Sequence, residues 1–260
     1  MPMTDRSASL QTRDLRGSRL RCLLLMDQPA RTVARLLTEL VRPHAEVSPN
    51  DFWMPRGLMQ PEEAKLGETP GFLSEEAREA VTAWWLAKRA GANTPNWDIV
   101  CTSTIDGRQG LILVEAKAHS AELCDDGKST GSIANEQSIR AAVRQASDGL
   151  NEQSPGWGLT ADSHYQLCNR FAWGWKIATI GVPVILIYLG FLNAEEMADQ
   201  GQPFPTAGEW ADAVQSYARG IVPTGAWGQR LDIKGTPLRP LIRAIDLRWK
   251  VLNCQNGGPA

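Results

Sequence analysis

The segment spanning residues 96–119, NWDIVCTSTIDGRQGLILVEAKAH, restricts the fold more tightly than any other part of the chain. Its first half, WDIVCTSTI, is rich in β-branched residues, and its second, LILVEAK, withholds charge until its end. Between them sits Asp106-Gly107, suited to a tight hairpin loop because both positions tolerate positive φ. Two adjacent antiparallel strands are therefore predicted. On the second strand Glu115 and Lys117 are two residues apart and share a face with Leu111 and Leu113, so this face is expected to be covered. Asp98, which opens the first strand, can approach Glu115 across the pair. Two carboxylates and one amine then converge at the end of a buried hairpin, where charge needs compensation.

A divalent metal is the compensation with the best physical fit. Two carboxylates, a main-chain carbonyl and waters suit the octahedral oxygen shell of Mg²⁺, with Mn²⁺ as the alternative ion. Such an ion makes water a usable nucleophile and neutralises charge at a reacting phosphate. Lys117 would orient or deprotonate that water, or hold a phosphate oxygen, as a compact point charge. The plainer reading is an ordinary hairpin in which Glu115 and Lys117 form a surface pair.

With these residues in this order the segment resembles the PD-(D/E)XK nuclease superfamily, the restriction-endonuclease-like fold. Asp98 stands at the motif's first aspartate, Glu115 at its second acidic position and Lys117 at its lysine. Asn96-Trp97 precede the aspartate in place of proline, and Pro95 lies three residues ahead of it. The resemblance implies an α/β protein with a mixed central β-sheet flanked by helices and the site at one sheet end. It covers residues 74–192 of a single domain, 1–260, with 1–73 and 193–260 as family-specific additions. It implies a metal-dependent nuclease, with DNA favoured over RNA and a homodimer compatible with double-strand cutting. The rival is a catalytically inactive member of the same fold that binds nucleic acid or a protein.

A second polar constellation lies in HYQLCNRFAWGWK. Gln166, Asn169 and Arg170 fall at i, i+3 and i+4, one polar ridge on an aromatic-rich helix. Amide donors and a bidentate guanidinium there would steady a phosphate beside the carboxylates; a solvated helix face is the plainer account. Tyr165 could stack on a base or pack. Glu76 and Glu79 read as first-turn helix charges, although a helix glutamate adds a metal ligand in some superfamily members. His119 continues the Glu115–Lys117 face as a polar strand end. Residues 127–130, GKST, lack the glycine of a phosphate loop, because Glu122 occupies its place. Arg140 and Arg144, at i and i+4, could follow a phosphate backbone or decorate an exposed face.

Net charge is −2, so the chain has no global basic field, although a few arginines can still build a local one. The five cysteines are scattered without C-x-x-C spacing, which points away from disulfides and zinc and towards a reducing cytoplasm. The N-terminal stretch has no apolar signal core. The longest uncharged apolar stretch, 177–192, is broken by Gly181, Pro183 and Gly190, so no membrane partner is expected. The ten tryptophans are expected to fill core or interface. No Ser or Cys nucleophile motif appears, and His44, His119 and His164 show no metal spacing, which disfavours a small-molecule hydrolase.

Periodicity and punctuation give an element order. A polar, mobile stretch over 1–18 precedes a strand at 20–26 and a helix at 31–41. An irregular Pro- and Gly-rich arm over 43–72 carries a short helix at 61–66. Ser74 caps a helix reaching about residue 89. After the hairpin come a flexible loop at 125–132, a helix at 133–150, a helix opened by Ser163 and ending near 180, and a buried strand at 182–192. A loop at 197–206, a helix at 208–219 and a strand-like segment at 238–251 complete the chain.

Overall fold

A computed structural model of the chain describes residues 16–89, 92–124, 126–127 and 132–247. The expected loop tract 128–131, the start of the N-terminal stretch and the end of the last segment, 248–251, lie outside the described residues. Chain order begins with helices α1 (Gly17–Met26) and α2 (Ala30–Val41) and the short strands β1 (Ala45–Glu46), β2 (Trp53–Met54) and β3 (Ala64–Lys65). Helix α3 (Glu75–Trp85) follows, then β4 (Asn96–Trp97), β5 (Ile99–Ile105) and β6 (Arg108–Lys117). Helices α4 (Ile133–Asn151) and α5 (Tyr165–Thr179) lead to β7 (Val184–Phe191), α6 (Ala207–Tyr217), β8 (Leu231–Ile233) and β9 (Thr236–Ile245).

The result is a mixed α/β architecture in three layers. The main sheet runs β1-β5-β6-β7-β9-β8, with β2 also pairing with β5, and β3 and β4 form a small second sheet. Strands β5 and β6 are antiparallel, whereas β6, β7 and β9 are parallel to one another. Asp106 and Gly107 take φ of 49° and 75°, the left-handed pair that an Asp-Gly hairpin loop requires. Strand alternation sorts the core. Leu111, Leu113, Val184 and Leu186 face α3, α4, α5 and α6; Ile112, Val114, Ala116, Ile185 and Ile187 face α1 and α2. Strand β9 lies inside the sheet and α1 and α2 form its second layer, so residues outside 74–192 build the same core.

Four expectations are corrected. Residues 20–26 are helical: Cys22, Leu25 and Met26 recur at helical spacing and pack on the sheet face opposite the carboxylates. No helix forms at 61–66; Ala64 and Lys65 instead pair with Trp97 and Asn96. The helix capped by Ser74 stops at Trp85 and not near residue 89, and α5 begins at Tyr165 with His164, not Ser163, at its N-cap. Trp85, Trp97, Trp173 and Trp210 are fully buried, the packing role expected of them. Among the described residues no helix is long and apolar enough to cross a membrane.

Candidate functional site

The register of the hairpin sets the site. Ile99 pairs with Val114, so continuing the ladder by one residue brings Asp98 opposite Glu115. The backbone bends at Asp98, and its Oδ2 accepts the main-chain N–H of Ala116 at 2.7 Å. On the other side of β6, Glu115 is in register with Tyr188 of β7 and Lys117 with Gly190. Glu115 and Tyr188 thus stand side by side at the carboxyl end of β6, on the face covered by α5, and Asp98 is tied to β6 through the Ala116 N–H, near enough to Glu115 for the two charges to act on each other.

Helix α5 closes this site from above. Its Gln166–Asn169–Arg170 ridge turns inward, not to solvent, with Asn169 and Arg170 buried. Lys117 Nζ donates to Glu115 Oε1 at 2.6 Å and to Gln166 Oε1 at 2.8 Å. Arg170 Nε donates to Glu115 Oε2 at 2.5 Å, and its Nη1 to Asn169 Oδ1 at 3.0 Å. The guanidinium lies over the Trp97 ring, 4.5 Å from its centroid, adding a cation–π contact in a dry setting. All six residues singled out in the sequence therefore belong to one constellation: Asp98, Lys117, Gln166 and Arg170 around Glu115, with Asn169 acting through Arg170.

Electrostatics follow from burial. Glu115 is 1 % exposed; burial alone would raise its carboxyl, but Arg170 and then Lys117 outweigh this and hold it below the usual range. Burial would likewise neutralise Lys117 and Arg170, but Glu115 and then Asp98 keep both firmly protonated. Asp98 differs. It keeps some contact with solvent, yet enclosure of its carboxyl and then the charge of Glu115 push it up to about 7. With Asp98 ionised the two acids and two cations cancel; with Asp98 protonated the cluster carries one positive charge.

Several neighbours left no pattern in the sequence. Extending the β3–β4 ladder by one residue sets Glu63 opposite Asp98, and Glu63 is held by Asn96 Nδ2 at 2.9 Å and Arg19 at 2.9 Å. Glu122 accepts the main-chain N–H groups of Ala118 and His119 and the Ser18 hydroxyl, and its charge reaches Lys117. His119, just past the end of β6, is buried and caps the short turn of helix at Ser120–Glu122. Glu76 and Glu79 are both exposed, but only Glu76 lies in the first turn of α3, beside Glu75, with Glu79 one turn further on, and Arg140 is taken up by Glu136 and Asp162. Among the described residues no group of three or more His, Cys, Asp or Glu side chains is arranged to hold a metal ion. A surface cavity of about 390 Å³ lies elsewhere, between α3 and the segments around Gly67 and Asn93, and touches none of these groups.

Chemically, the cluster joins two dissimilar carboxyls to an ammonium held by a carboxylate and an amide. One carboxyl is locked in two ion pairs; the other changes protonation near neutrality. No protein-family model matches the chain, and comparison with curated proteins and with solved structures gives no match.

Proposed function

We propose that the protein is a Mg²⁺-dependent phosphodiesterase of restriction-endonuclease-like fold that cleaves nucleic acid, DNA in preference to RNA. The observation that carries this reading is the meeting of Asp98, Glu115, Lys117 and Gln166 at one end of β6. The order α3, hairpin, α4, α5 and β7 is the order the resemblance implies. The donor set suits a hard cation, because Mg²⁺ commonly takes one or two carboxylates and keeps its waters. Asp98 Oδ1 accepts no hydrogen bond from the described residues, and each Glu115 oxygen keeps a further lone pair beyond its ion pair.

Asp98 and Glu115 would hold the ion, Mg²⁺ or in its place Mn²⁺. When bound, it would lower the pKa of water and neutralise charge at the phosphate. Lys117, fixed by Glu115 and Gln166, orients the attacking water and faces the phosphate oxygen with its third N–H. Gln166, Asn169 and Arg170 were expected at the phosphate itself; their hydrogen bonds favour a different division of labour. Gln166 aims Lys117, while Arg170, backed by Asn169, fixes Glu115. A cytoplasmic setting and a homodimer accord with this reading.

One observation favours the rival, a nuclease-fold module that binds without cutting: Glu115 already spends both oxygens on Lys117 and Arg170, and Lys117 is only 7 % exposed. The two separate in one experiment. Labelled duplex DNA, single-stranded DNA and RNA are incubated with the protein in Mg²⁺ or EDTA, alongside Asp98→Asn and Glu115→Gln, and Mg²⁺ is titrated by calorimetry. The enzyme reading expects Mg²⁺-dependent cleavage lost in both variants. Cleavage retained in either variant, or neither cleavage nor Mg²⁺ binding in the wild type, refutes it.

A further inference from the structure

The sheet face away from the carboxylate cluster carries two arginines that form an ion pair with no carboxylate among the described residues. Arg239 and Arg243 lie four residues apart on β9, so both side chains project to the side of Leu241 and Ile245, towards α1 and α2. Both are half-buried. Arg243 donates from Nε to Leu40 O at 2.8 Å and from Nη1 to Ile242 O at 3.0 Å; Arg239 donates from Nη1 to Gly228 O at 2.9 Å. Neither guanidinium meets a carboxylate among the described residues, and each keeps further N–H groups for an outside acceptor.

Two more basic groups lie where α2 ends, two and four residues beyond the Leu40 carbonyl that Arg243 holds. Arg42, the C-cap, is exposed, and His44 follows, half-buried. The His44 imidazole is held below its ordinary range by burial, then by Arg239 and Arg243, which marks a locally positive potential. The acid that opposes them, Asp106, is itself engaged by Arg230 at 3.5 Å.

Partly desolvated cations without a counter-charge are unfavourable unless an anion completes them. Main-chain carbonyls account for one or two N–H groups on each arginine and leave the net charge untouched. We infer that Arg42, His44, Arg239 and Arg243 form a docking surface for the phosphate backbone of a nucleic acid. Four strand residues span about 13 Å, comparable to about four 3.4 Å steps of one nucleic-acid strand. The two β9 guanidiniums can therefore reach successive regions of one backbone, and the fork of each suits phosphate oxygens. Contacts of this kind position a duplex and carry no base sequence. The choice of nucleic acid rests on the proposed function; the unbalanced charge does not.

The test is binding of a fluorescein-labelled DNA duplex, read by anisotropy across a KCl series in EDTA, so that cleavage plays no part. Wild-type affinity should fall steeply with salt. The Arg239→Gln/Arg243→Gln variant should bind at least about tenfold more weakly, and the slope of log K against log salt should shrink by about 1 for each guanidinium that no longer meets a phosphate. Because Arg243 also ties down the end of α2, Arg42→Glu provides a surface variant that leaves that tie intact and should weaken binding in the same sense. Unchanged affinity and slope in Arg42→Glu and in the folded double variant overturns the surface. So does stronger competition from phosphatidylserine vesicles than from unlabelled duplex. Salt-sensitive binding that the variants weaken, without cleavage in Mg²⁺, would sink the nuclease reading and leave this surface standing; cleavage with unchanged slopes would do the reverse.

Discussion

Asp98 makes the stability of this protein depend on pH in an unusual direction. Its carboxyl rises from an ordinary 3.8 to about 7 in the folded state, through burial first and the neighbouring Glu115 second. The folded protein therefore binds more protons than the unfolded chain at intermediate pH, and stability falls as pH rises. The loss begins near the unfolded value, grows through the folded one and is complete above it. A shift of about 3 units, at about 1.36 kcal/mol each, bounds the full penalty at about 4 kcal/mol. About 2–3 kcal/mol of it develops between about pH 5 and pH 8, and residual solvent contact at Asp98 screens part of that.

Asp98→Asn isolates this contribution, because its side-chain oxygen can still accept the Ala116 N–H while carrying no charge. Urea unfolding of both proteins across this range should show wild-type stability declining relative to the variant by about 2 kcal/mol. Mg²⁺ offers the complementary perturbation. An ion held by Asp98 favours its charged form, so at pH 8 added Mg²⁺ should raise the Tm of the wild type and flatten its profile, and leave the variant unmoved. His44 and the other titrating groups are common to both proteins and cancel in the difference. Parallel pH profiles for wild type and variant would show that Asp98 does not titrate in this window, and the argument for a strained pair of acids would collapse with it.

How much of this was legible beforehand depended on whether a residue's environment is set locally. The hairpin was, because alternation, Asp106-Gly107 and charge confined to its end all specify the same structure. Ser74 was too: its hydroxyl accepts the Ala77 N–H at 3.2 Å, a bond made within its own first turn. Helix α1 was not, since a short apolar run such as CLLLM has no alternation and fits a buried strand equally well. The Gln166–Asn169–Arg170 spacing identified one helix face, but only the β6–α5 packing decides that this face turns to Glu115. Glu63 was out of reach entirely. It stands in an aperiodic arm, and its place opposite Asp98 exists only because Ala64 pairs with Trp97 more than thirty positions away.

Two further perturbations probe how the cluster is held. A Cβ at residue 190 would come 2.5 Å from the buried Trp210 ring, which donates to Tyr188 O at 3.3 Å, so Gly190→Ala should cost about 1–3 kcal/mol in urea unfolding through overpacking; an unaffected midpoint would mean that the indole moves freely. Arg170→Met tests the ion pair itself. It leaves Glu115 buried with Lys117 alone, and loss of one partner of a buried pair is expected to cost about 3–5 kcal/mol. Adding Glu115→Gln should restore part of that loss, because the remaining desolvated carboxylate disappears, and the double-mutant cycle should give a coupling of about 0.5–3 kcal/mol. Strict additivity would mean that Arg170 stabilises the fold through its stacking on Trp97 and not through Glu115, and the role assigned to it as the support of that carboxylate would fail.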